Sequence, residues 1–533
     1  MVAKKVAIIG CGVGGLTAIK SCVDAGLKPT CFEQQSRFGG IWNYTGEVRP
    51  NLGSVHKNTV TNISKAIMCF SDFPVPKEWP NYVHHRIFMN YLEMYAKEFD
   101  LEQYIKLNTK VERLSKTDDH TETGRWTVRY TRNSDGSELT NEETFDAVMI
   151  CNGHHAKPAI PKIPGMEKFK GVKVHSGDYR TFHPYVGKRV LVVGCSFSAG
   201  DIASDLSQHA SQVYLSTTRG AYIVRRLTPG TTKPFDHQLT RAESFLNKYF
   251  RRSLVRGWVN HEYDFASLGL QPTGILGIDQ FVLINDDLPD KVFNGQVIVK
   301  DQLKEFRETS VVFNSEDVLD DIDAVVFSTG FKLDYPFATD IVTVESEKYA
   351  RLYKQIFIPD AEHQTLAIIG VPEVLGPHIP IWEMQARVAA EVFAGRCSLP
   401  SKDVMLTECV ARERELVKIG RPKEKFLNGI EFVSYFDELG EMIGVTPSFL
   451  SMLLKSPKMA YEYYFGAHVP AQYRLQGPNT WEKAAEVIMR TEEDYLHPLK
   501  TKRCSPLVVQ KKSYFYRIVA FVVFVAIVLR FLF

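Results

Sequence analysis

The sequence predicts an α/β fold with two similar units, each a parallel sheet covered on both faces. At two places, residues 6–15 and 189–199, an apolar strand runs into a turn rich in small residues, and a helix pattern follows. Each passage later closes on a similar strand and turn, at 146–153 and 323–330. Uninterrupted Val, Ile and Leu strands of this kind are typical of parallel sheets that are covered on both faces.

Composition places the chain among ordered globular proteins. Its 533 residues are 44% hydrophobic, 12% aromatic and 24% charged, which is typical of a chain with several packed cores. The formal net charge is only +2, so no strong global field is available to hold nucleic acid. The nine cysteines form no C-x-x-C pair and no zinc-type spacing. No metal site is therefore expected, and the thiols are interpreted as reduced and cytosolic.

Other strands and helices are assigned around the two sheets. A hairpin-like stretch precedes each closing strand, at 125–143 and 297–321. A buried strand at 365–370 and a helix pattern at 381–393 follow the second unit. We expect these two elements to return to the first domain and complete it, which makes the second domain an insertion.

Two further regions have their own character. Residues 216–294 are rich in aromatic, basic and turn residues and fit neither sheet, so they are predicted to form an inserted subdomain. Beyond about residue 443 the pattern is helical and is interrupted by prolines.

The first glycine turn has the spacing of a dinucleotide-binding site. Gly10, Gly12 and Gly15 stand at G-x-G-x-x-G spacing, and Glu33 ends the next apolar run. The first glycine permits the tight turn, the second lets backbone N–H groups approach a pyrophosphate, and the third permits close helix packing. A carboxylate at position 33 would accept hydrogen bonds from ribose hydroxyls, which disfavours a 2′-phosphate in this unit.

A second glycine pair extends this site. Arg37, Gly39, Gly40 and Trp42 follow Glu33 at fixed spacing, and the paired glycines let backbone run alongside an extended ligand. The whole run resembles the fingerprint of FAD-dependent two-dinucleotide-binding flavoproteins.

The second turn is less regular. It reads Gly194-x-Ser196-x-Ser198-Ala199, with serine where the second glycine is expected and alanine at the third position. The strand that follows ends in Thr217, Thr218 and Arg219 with no acid, and two more arginines come at 225 and 226. Hydroxyls beside a guanidinium suit a 2′-phosphate, so NADP is favoured over NAD. The alternative is a solvated basic turn.

The linker between the units identifies a family. Residues 169–179 read F-x-G-x-x-x-H-x-x-x-Y, from Phe169 through His175 to Tyr179. With both turns and the motifs at 69–74 and 285–289, this closely resembles the flavin-containing monooxygenases of animal microsomes, which are class B flavoprotein monooxygenases. The resemblance covers nearly the whole chain. Related Baeyer–Villiger enzymes have a similar linker ending in tryptophan, so Tyr179 favours the former family. We interpret the motif as a hinge that sets the pose of the two domains.

The resemblance implies a reaction and its cofactors. NADPH reduces FAD, O2 forms a C4a-hydroperoxyflavin, and a soft N or S atom of a small lipophilic compound takes one oxygen atom. NADP stays bound and shields the flavin from water. Asn62 matches the family's asparagine beside the flavin and is the predicted catalytic residue. The residues expected to bind FAD or NADP are Gly10, Gly12, Gly14, Gly15, Glu33, Arg37, Gly40, Ile41, Trp42, Asn62, Gly194, Ser196, Ser198, Ala199, Thr217, Arg219, Thr329, Gly330 and Gln385.

One departure leaves more than one function open. Where the family commonly shows G-x-G-N-S-G, this chain has Ser196 and Phe197, and Thr218 replaces one of a pair of arginines. Weakened NADP binding would favour an NADPH oxidase that releases hydrogen peroxide. Baeyer–Villiger oxygenation of ketones and a non-enzymatic nucleotide-binding scaffold are also left open.

The C-terminus predicts a membrane anchor. Residues 514–533 contain only Arg517 and Arg530 as charges and match the thickness of a bilayer core, with lysines at the start that can reach the headgroups. Whether the tail spans the bilayer or lies in its surface is left open, and a buried core helix is the alternative. The expected location is the endoplasmic reticulum membrane, with the catalytic domains in the cytosol and membrane lipid as a partner. A homo-oligomer is left open.

These expectations combine into one domain plan. The predicted division is 1–154 for the first part of the FAD-binding domain, 155–215 for the first part of the NADP-binding domain, 216–295 for the inserted subdomain, 296–330 for the second part of the NADP-binding domain, 331–442 for the second part of the FAD-binding domain, 443–510 for the C-terminal helical region and 511–533 for the membrane anchor.

Overall fold

Two five-stranded parallel sheets organise the protein in a computed structural model. The structure describes residues 3–49, 52–134, 137–250, 262–272, 282–346, 349–371, 373–418 and 428–502. In spatial order, the strands of the first sheet are Leu366–Ile368, Ala147–Ile150, Lys5–Ile9, Lys28–Phe32 and Ile105–Lys106. Those of the second sheet are Val297–Lys300, Gln212–Ser216, Arg189–Val193, Ala324–Phe327 and Val172–His175.

Both sheets are buried on their two faces, as the uninterrupted apolar strands predict. In the first sheet, Val6 and Ile8 belong to one apolar core, and their neighbours Ala7 and Ile9 belong to another. The second sheet repeats this division along Arg189–Val193, where alternate residues face different cores. Because successive side chains of a strand point to opposite faces, this alternation places packed layers above and below each sheet.

The strand at 366–368 pairs in parallel with Ala147–Ile150, so the chain returns to the first sheet after completing the second. The predicted hairpin at 125–143 is present as Trp126–Ser134 paired with Ser137–Phe145.

The predicted hairpin at 297–321 is partly wrong. Val297–Lys300 pairs in parallel with Gln212–Ser216 at the edge of the second sheet, and only Leu303–Phe306 and the two short strands after it are antiparallel. The Val-Ile-Val run lies close enough to a sheet edge to pair with it. The hydrogen bonds and burial that it gains there outweigh its preference for a local hairpin.

The segment 216–295 shares its core with the second sheet. Its strands Tyr222–Val224 and Val282–Ile284 form a small parallel pair, and their buried residues belong to the same apolar cluster as Val190 and Val192. The described residues of the segment are therefore packed onto the second unit.

The C-terminal region is fastened to the first unit by buried charges. Arg474, only 2% exposed, lies 2.9 Å from both Asp72 and Glu383. Breaking such a buried pair by removing one partner is strongly destabilising. Within the described ranges, no helix has both the length and the apolar character needed to cross a bilayer. The predicted anchor at 511–533 lies outside those ranges.

The remaining elements are the helices and the smaller sheets. The α-helices are Val13–Asp24, Lys65–Met68, His85–Glu98, His120–Thr123, Phe197–Leu206, Arg241–Phe250, Leu288–Phe293, His378–Phe393, Lys402–Lys418, Phe432–Met442, Phe449–Lys455, Pro457–Phe465 and Ala484–Leu496. The other strands are Thr109–Lys116, Val311–Phe313, Val318–Leu319, Lys157–Pro158 with Phe331–Lys332, and Glu373–Leu375 with Asn428–Glu431.

Candidate functional site

The first glycine turn connects Lys5–Ile9 to the helix Val13–Asp24. Gly10 has a φ of +96°, and a Cβ there would lie 2.7 Å from the carbonyl oxygen of Cys151. A Cβ on Gly15 would lie only 2.1 Å from the carbonyl oxygen of Gly10. These two positions therefore require glycine for the turn and for the close approach of helix and strand.

The helix N-terminus of this turn is open to an anion. Gly12 is its N-cap residue and has no side chain that could accept a hydrogen bond from the N–H groups of the first turn. Gly14 lies in that first turn, with Ile369 3.4 Å from where its Cβ would stand. Unsatisfied N–H groups and the helix dipole together favour a phosphate at such an end.

Glu33 follows the neighbouring strand and points back to the turn. Its two carboxylate oxygens accept hydrogen bonds from the backbone N–H groups of Cys11, at 2.8 Å, and Gln35, at 2.9 Å. The residue is 4% exposed, and burial raises the pKa of its carboxyl group, although the backbone N–H donors act in the opposite direction. A buried acceptor is thus held beside the turn, where a ribose hydroxyl would be recognised.

The run that follows Glu33 packs directly against the first turn. Gly39 donates its N–H to the carbonyl oxygen of Cys11 at 2.8 Å, and it has a φ of +115°. A Cβ on Gly40 would lie 3.1 Å from the Cα of Gly12, so the two glycine segments face each other without side chains between them. This bare backbone cradle fits an extended dinucleotide such as FAD.

Side chains around this cradle fix its position. Trp42 packs against Phe88, with ring centroids 4.4 Å apart, and the carbonyl oxygen of Ile41 accepts a hydrogen bond from Val55. Arg37 pairs with Glu93 on the helix His85–Glu98 and remains half exposed. These three predicted residues are therefore brought to one place beside the first turn.

The second turn repeats the geometry of the first. Gly194 has a φ of +116°, and a Cβ there would lie 2.4 Å from the carbonyl oxygen of Ser328. Ser196 is the N-cap of Phe197–Leu206, and its hydroxyl makes no capping bond. Ser198 lies in the first turn of the helix, and Ala199 is fully buried in the second core. The helix end thus keeps its N–H groups for a ligand, as at the first turn.

The basic residues after the next strand separate into two groups. Thr217 accepts the N–H of Gly220 through its hydroxyl, and Thr218 and Arg219 are exposed. Arg225 is bonded to Tyr263, and Arg226 forms an ion pair with Asp286 at 2.7 Å. Within the described ranges, no carboxylate pairs with Arg219. Arg219 is therefore available to a 2′-phosphate.

The linker histidine has a structural role. His175 Nδ1 accepts the N–H of Gly177 at 3.1 Å, so its Nε2 carries the proton and donates to the carbonyl oxygen of Gly330 at 2.9 Å. The hydroxyl of Thr329 donates to the carbonyl oxygen of Ala159 at 2.6 Å. These contacts fasten residues 159 and 175 to the closing turn of the second unit. The hinge interpretation stays a prediction.

Asn62 lies where the two units meet. The next residue, Ile63, packs against the first core and also against the second core, which Phe197 contacts as well. The Asn62 carboxamide makes no hydrogen bond to any of the described residues, and the residue is half-buried. Its amide is therefore available to a ligand at the junction.

Gln385 is placed differently from the other predicted residues. It is fully buried in His378–Phe393, its Oε1 accepts the N–H of Gly370 at 3.0 Å, and its Nε2 donates to the Tyr435 hydroxyl at 2.9 Å. Its polar atoms thus support the turn after Leu366–Ile368.

A family model described as flavin-binding monooxygenase-like matches residues 3–532 of this chain. The chain belongs to that family. Flavin-containing monooxygenase 5 of Cavia porcellus is 39% identical over 509 residues, with 94% of each chain covered. Dimethylaniline monooxygenase (N-oxide-forming) 2 of Rattus norvegicus is 41% identical over 514 residues, again with 94% of each chain covered. This flavin-binding monooxygenase is therefore an NADPH-dependent enzyme whose cofactors are FAD and NADP.

Solved structures of related monooxygenases have the same fold. S-allyl-L-cysteine S-oxygenase from Allium sativum matches with a TM-score of 0.64 and 25% identity, over 93% of this chain and 99% of that one. Cyclohexanone monooxygenase from Rhodococcus sp. Phi1, bound to NADP+, matches with a TM-score of 0.59 over 83% of this chain and 97% of that one. At 15% identity this second likeness concerns the fold alone.

Sequence reasoning missed the residues that hold Asn62 in place. Asp205, Arg226 and Asp236 each bond to the segment around it, although Asp236 is 172 positions from its partner Ser64. Pairs this distant have no local sequence pattern. The sequence marked this region in advance only through the arginines at 225 and 226, interpreted as candidates for a 2′-phosphate, and through the motif at 285–289, which contains the Asp286 partner of Arg226.

Proposed function

We propose that this flavin-binding monooxygenase uses NADPH and O2 to oxygenate soft nucleophilic N or S atoms of small lipophilic compounds, including xenobiotics. The observation that supports this most directly is the position of Asn62, between Thr61 and Ile63 at the junction of the two nucleotide units. A polar amide at that junction can contact a flavin held by one unit and a nicotinamide held by the other.

We assign FAD to the first unit. The N–H groups at the start of Val13–Asp24 would bind the pyrophosphate, and Glu33 would accept from a ribose hydroxyl. Gly12 and Gly40 leave room for backbone to lie along the ligand. When bound, FAD supplies the redox chemistry that reduces O2 by electrons from NADPH.

We assign NADP to the second unit. The helix end at Ser196 and Phe197 would face its pyrophosphate, and Arg219 with Thr217 would hold the 2′-phosphate. Asn62 would then donate from its carboxamide to the flavin and keep a neutral side chain beside it, so that no acidic proton is delivered there. No acid–base pair is needed, because the substrate atom is itself the nucleophile.

The test is transfer of labelled oxygen. FAD-loaded enzyme is supplied with NADPH and 18O2 together with a sulfide, a tertiary amine or a ketone. We expect one labelled atom in the sulfoxide and the N-oxide, and none in an ester from the ketone. NADPH consumption without label in any product would overturn the proposal. Labelled ester as the main product would instead identify a Baeyer–Villiger enzyme.

An NADPH oxidase is the second candidate, and Phe197 is the observation that favours it. Its ring packs against the second core at the first position of the helix, where the family commonly has an asparagine. Loss of a contact to NADP would shorten the time for which NADP remains bound. The flavin would then be exposed to water. Hydrogen peroxide equal to the NADPH consumed, with every probe present, would support this candidate.

The cellular arrangement is also a proposal. We propose that the enzyme is attached to the endoplasmic reticulum membrane by residues 511–533, with both nucleotide domains in the cytosol. The domain division with boundaries at 154, 215, 295, 330, 442 and 510 belongs to the same proposal. The apolar character of the tail supports it. Removal of residues 511–533 should release the enzyme from membranes without loss of FAD.

A further inference from the structure

The segment around Asn62 is bonded to the second unit at every third residue. Asn58 Nδ2 donates to Asp205 Oδ1 at 2.8 Å, the carbonyl oxygen of Thr61 accepts from Arg226 Nε at 3.1 Å, and the N–H of Ser64 donates to Asp236 Oδ2 at 2.6 Å. We call Asp205, Arg226 and Asp236 the clamp. All three contacts cross from one unit to the other, and they enclose Asn62.

The clamp residues are themselves fixed in place. Asp205 also accepts the hydroxyl of Tyr179 at 2.6 Å, which connects it to the end of the linker. Arg226 is held by Asp286, which accepts from both its backbone N–H and its guanidinium, and by the Tyr82 hydroxyl on its carbonyl oxygen. A side chain with several bonds has one preferred position, so it can transmit that position to its partner.

Asp236 makes the most buried of the three contacts. It is 3% exposed, and the bond from the N–H of Ser64 is short. A hydrogen bond to a buried carboxylate is stronger than one between neutral groups, and an orphaned buried N–H is costly. Loss of Asp236 should therefore release the segment more than loss of an exposed contact.

Two clamp residues lie close along the chain to predicted NADP contacts. Asp205 is in the helix Phe197–Leu206, which begins at the second glycine turn, and Arg226 comes shortly after Arg219. If NADP binding orders these segments, their hydrogen bonds should also order residues 58 and 61, which precede Asn62 in the chain.

We propose that Asp236 and Arg226, with Asp205, are positioning residues that set Asn62 against the flavin and couple its placement to occupancy of the NADP site. This inference rests on the proposed role of Asn62. Loosening of the clamp should leave FAD bound but allow water to reach the flavin, so that more of the reduced oxygen leaves as hydrogen peroxide.

The experiment compares clamp variants with matched controls in the full-length FAD-loaded enzyme. D236A removes the acceptor for Ser64, D236N keeps a neutral oxygen there, and R226K keeps the charge for Asp286 but removes the Nε–H. D290N and R225K are the controls, because these residues belong to the same segment and their described contacts are with each other and with Tyr263 and Glu262 rather than with residues 58–64. Flavin content and melting temperature identify any variant that fails to fold, and the two milder variants then carry the test.

Hydrogen exchange of the backbone amides measures how firmly the clamp holds the segment, and it does not depend on turnover. We expect amides 61–64 to exchange at least tenfold faster in D236A and less so in D236N, and we expect added NADP+ to slow them in the unaltered enzyme more than in the variants. Peroxide released per NADPH should rise several-fold in D236A and R226K and stay unchanged in both controls. Unchanged exchange in D236A, or an equal rise in peroxide in D290N, would overturn the inference.

A double variant tests whether the clamp acts through Asn62. If it does, N62A and N62A/D236A should release the same fraction of peroxide, since residues that act as one unit are not additive. Additive fractions would overturn the inference, even if exchange is faster. If the unaltered enzyme already releases one hydrogen peroxide for every NADPH oxidised, the proposed oxygenation is wrong. The exchange experiment still decides whether the clamp orders the segment.

Discussion

The two glycine turns are the same structure built from different residues. A shift of 184 positions superimposes Gly10 on Gly194, Gly12 on Ser196, Gly15 on Ala199 and Thr17 on Asp201. Both first glycines have a positive φ, and each donates its N–H to the end of the neighbouring strand, at 2.8 Å to Phe32 and 2.9 Å to Ser216. The turn itself is therefore preserved, and only its surroundings differ.

The difference lies in what each turn faces. The first turn is covered by the backbone of Gly39 and Gly40, and its acid Glu33 is buried. The second has a serine and a phenylalanine at its helix start and an exposed arginine, Arg219, after the next strand. A covered site is suited to a cofactor that stays bound, and an open basic site is suited to a coenzyme that enters and leaves.

The largest expected effect tests the third position of the two turns. In G15A the added methyl group would stand 2.1 Å from the carbonyl oxygen of Gly10. Overpacking costs about 1–3 kcal/mol or more, and backbone cannot move aside as a side chain can, so the flavin content should fall by about tenfold or more. A199G only removes a methyl group and should leave NADP+ affinity within about twofold, at a stability cost of about 1 kcal/mol. Flavin absorbance per protein and NADP+ titration measure both. A yellow, stable G15A would remove the contrast between the turns.

The next effect tests the basic group of the second turn. R219A should raise the KM for NADPH by about tenfold or more, since a charge-assisted hydrogen bond contributes about 1.5–3 kcal/mol. The KM for NADH should not change, because NADH lacks the 2′-phosphate. R225A is the matched control, and its guanidinium is already bonded to Tyr263. Equal losses for NADPH and NADH in R219A would show that Arg219 does not read the 2′-phosphate.

A smaller effect concerns Asp201, an acid in the second helix whose equivalent in the first helix is Thr17. Burial raises the pKa of Asp201 to about 6, whereas the equivalent Thr17 does not titrate. Because the folded-state pKa lies above the unfolded value, the native state is favoured below pH ~4, and that advantage is lost as the pH rises through about 6. The stability of D201N relative to the unaltered enzyme should therefore rise by about 1 kcal/mol from pH ~5 to pH ~7.5. Melting temperatures at the two pH values measure this, with T17S as the control. A difference that does not depend on pH would mean that Asp201 is not the titrating group.

The smallest effect is expected at the second position. Ser196 has φ −127° and ψ −174°, an extended conformation that any residue adopts. S196G should thus change NADP+ affinity by no more than about fivefold, because only the flexibility of glycine, about 0.5–1 kcal/mol, is at stake. Calorimetric titration with NADP+ measures it. A much tighter S196G would mean that the serine side chain stands in the pyrophosphate site, and it would strengthen the case for an oxidase.

The sequence predicts most of what is local. The strands at 5–9 and 189–193, the turns after them and the position of Glu33 all follow from short-range spacing and are present in the structure. Such features are predictable because neighbouring residues in a strand, turn and helix satisfy each other's backbone groups without help from the rest of the chain.

Interactions between distant parts of the chain are not predictable in this way. The local pattern predicts a hairpin for Val297–Lys300, which instead pairs with the second sheet, since a free sheet edge offers it more hydrogen bonds and apolar contact than its local turn. Arg226 is one of three arginines near the predicted 2′-phosphate site, and tertiary contacts direct it to Asp286 and Thr61. Gln385 likewise makes its hydrogen bonds to the protein.

The amino-acid sequence by itself therefore determined two parallel-sheet units, the glycine turns after their first strands and the family to which the chain belongs. The tertiary structure decided which arginine remains available, what closes each turn and which side chains hold the segment around Asn62. The physical reason is that hydrogen bonds between residues more than a hundred positions apart depend on where the folded elements lie. Spacing along the chain does not predict those positions.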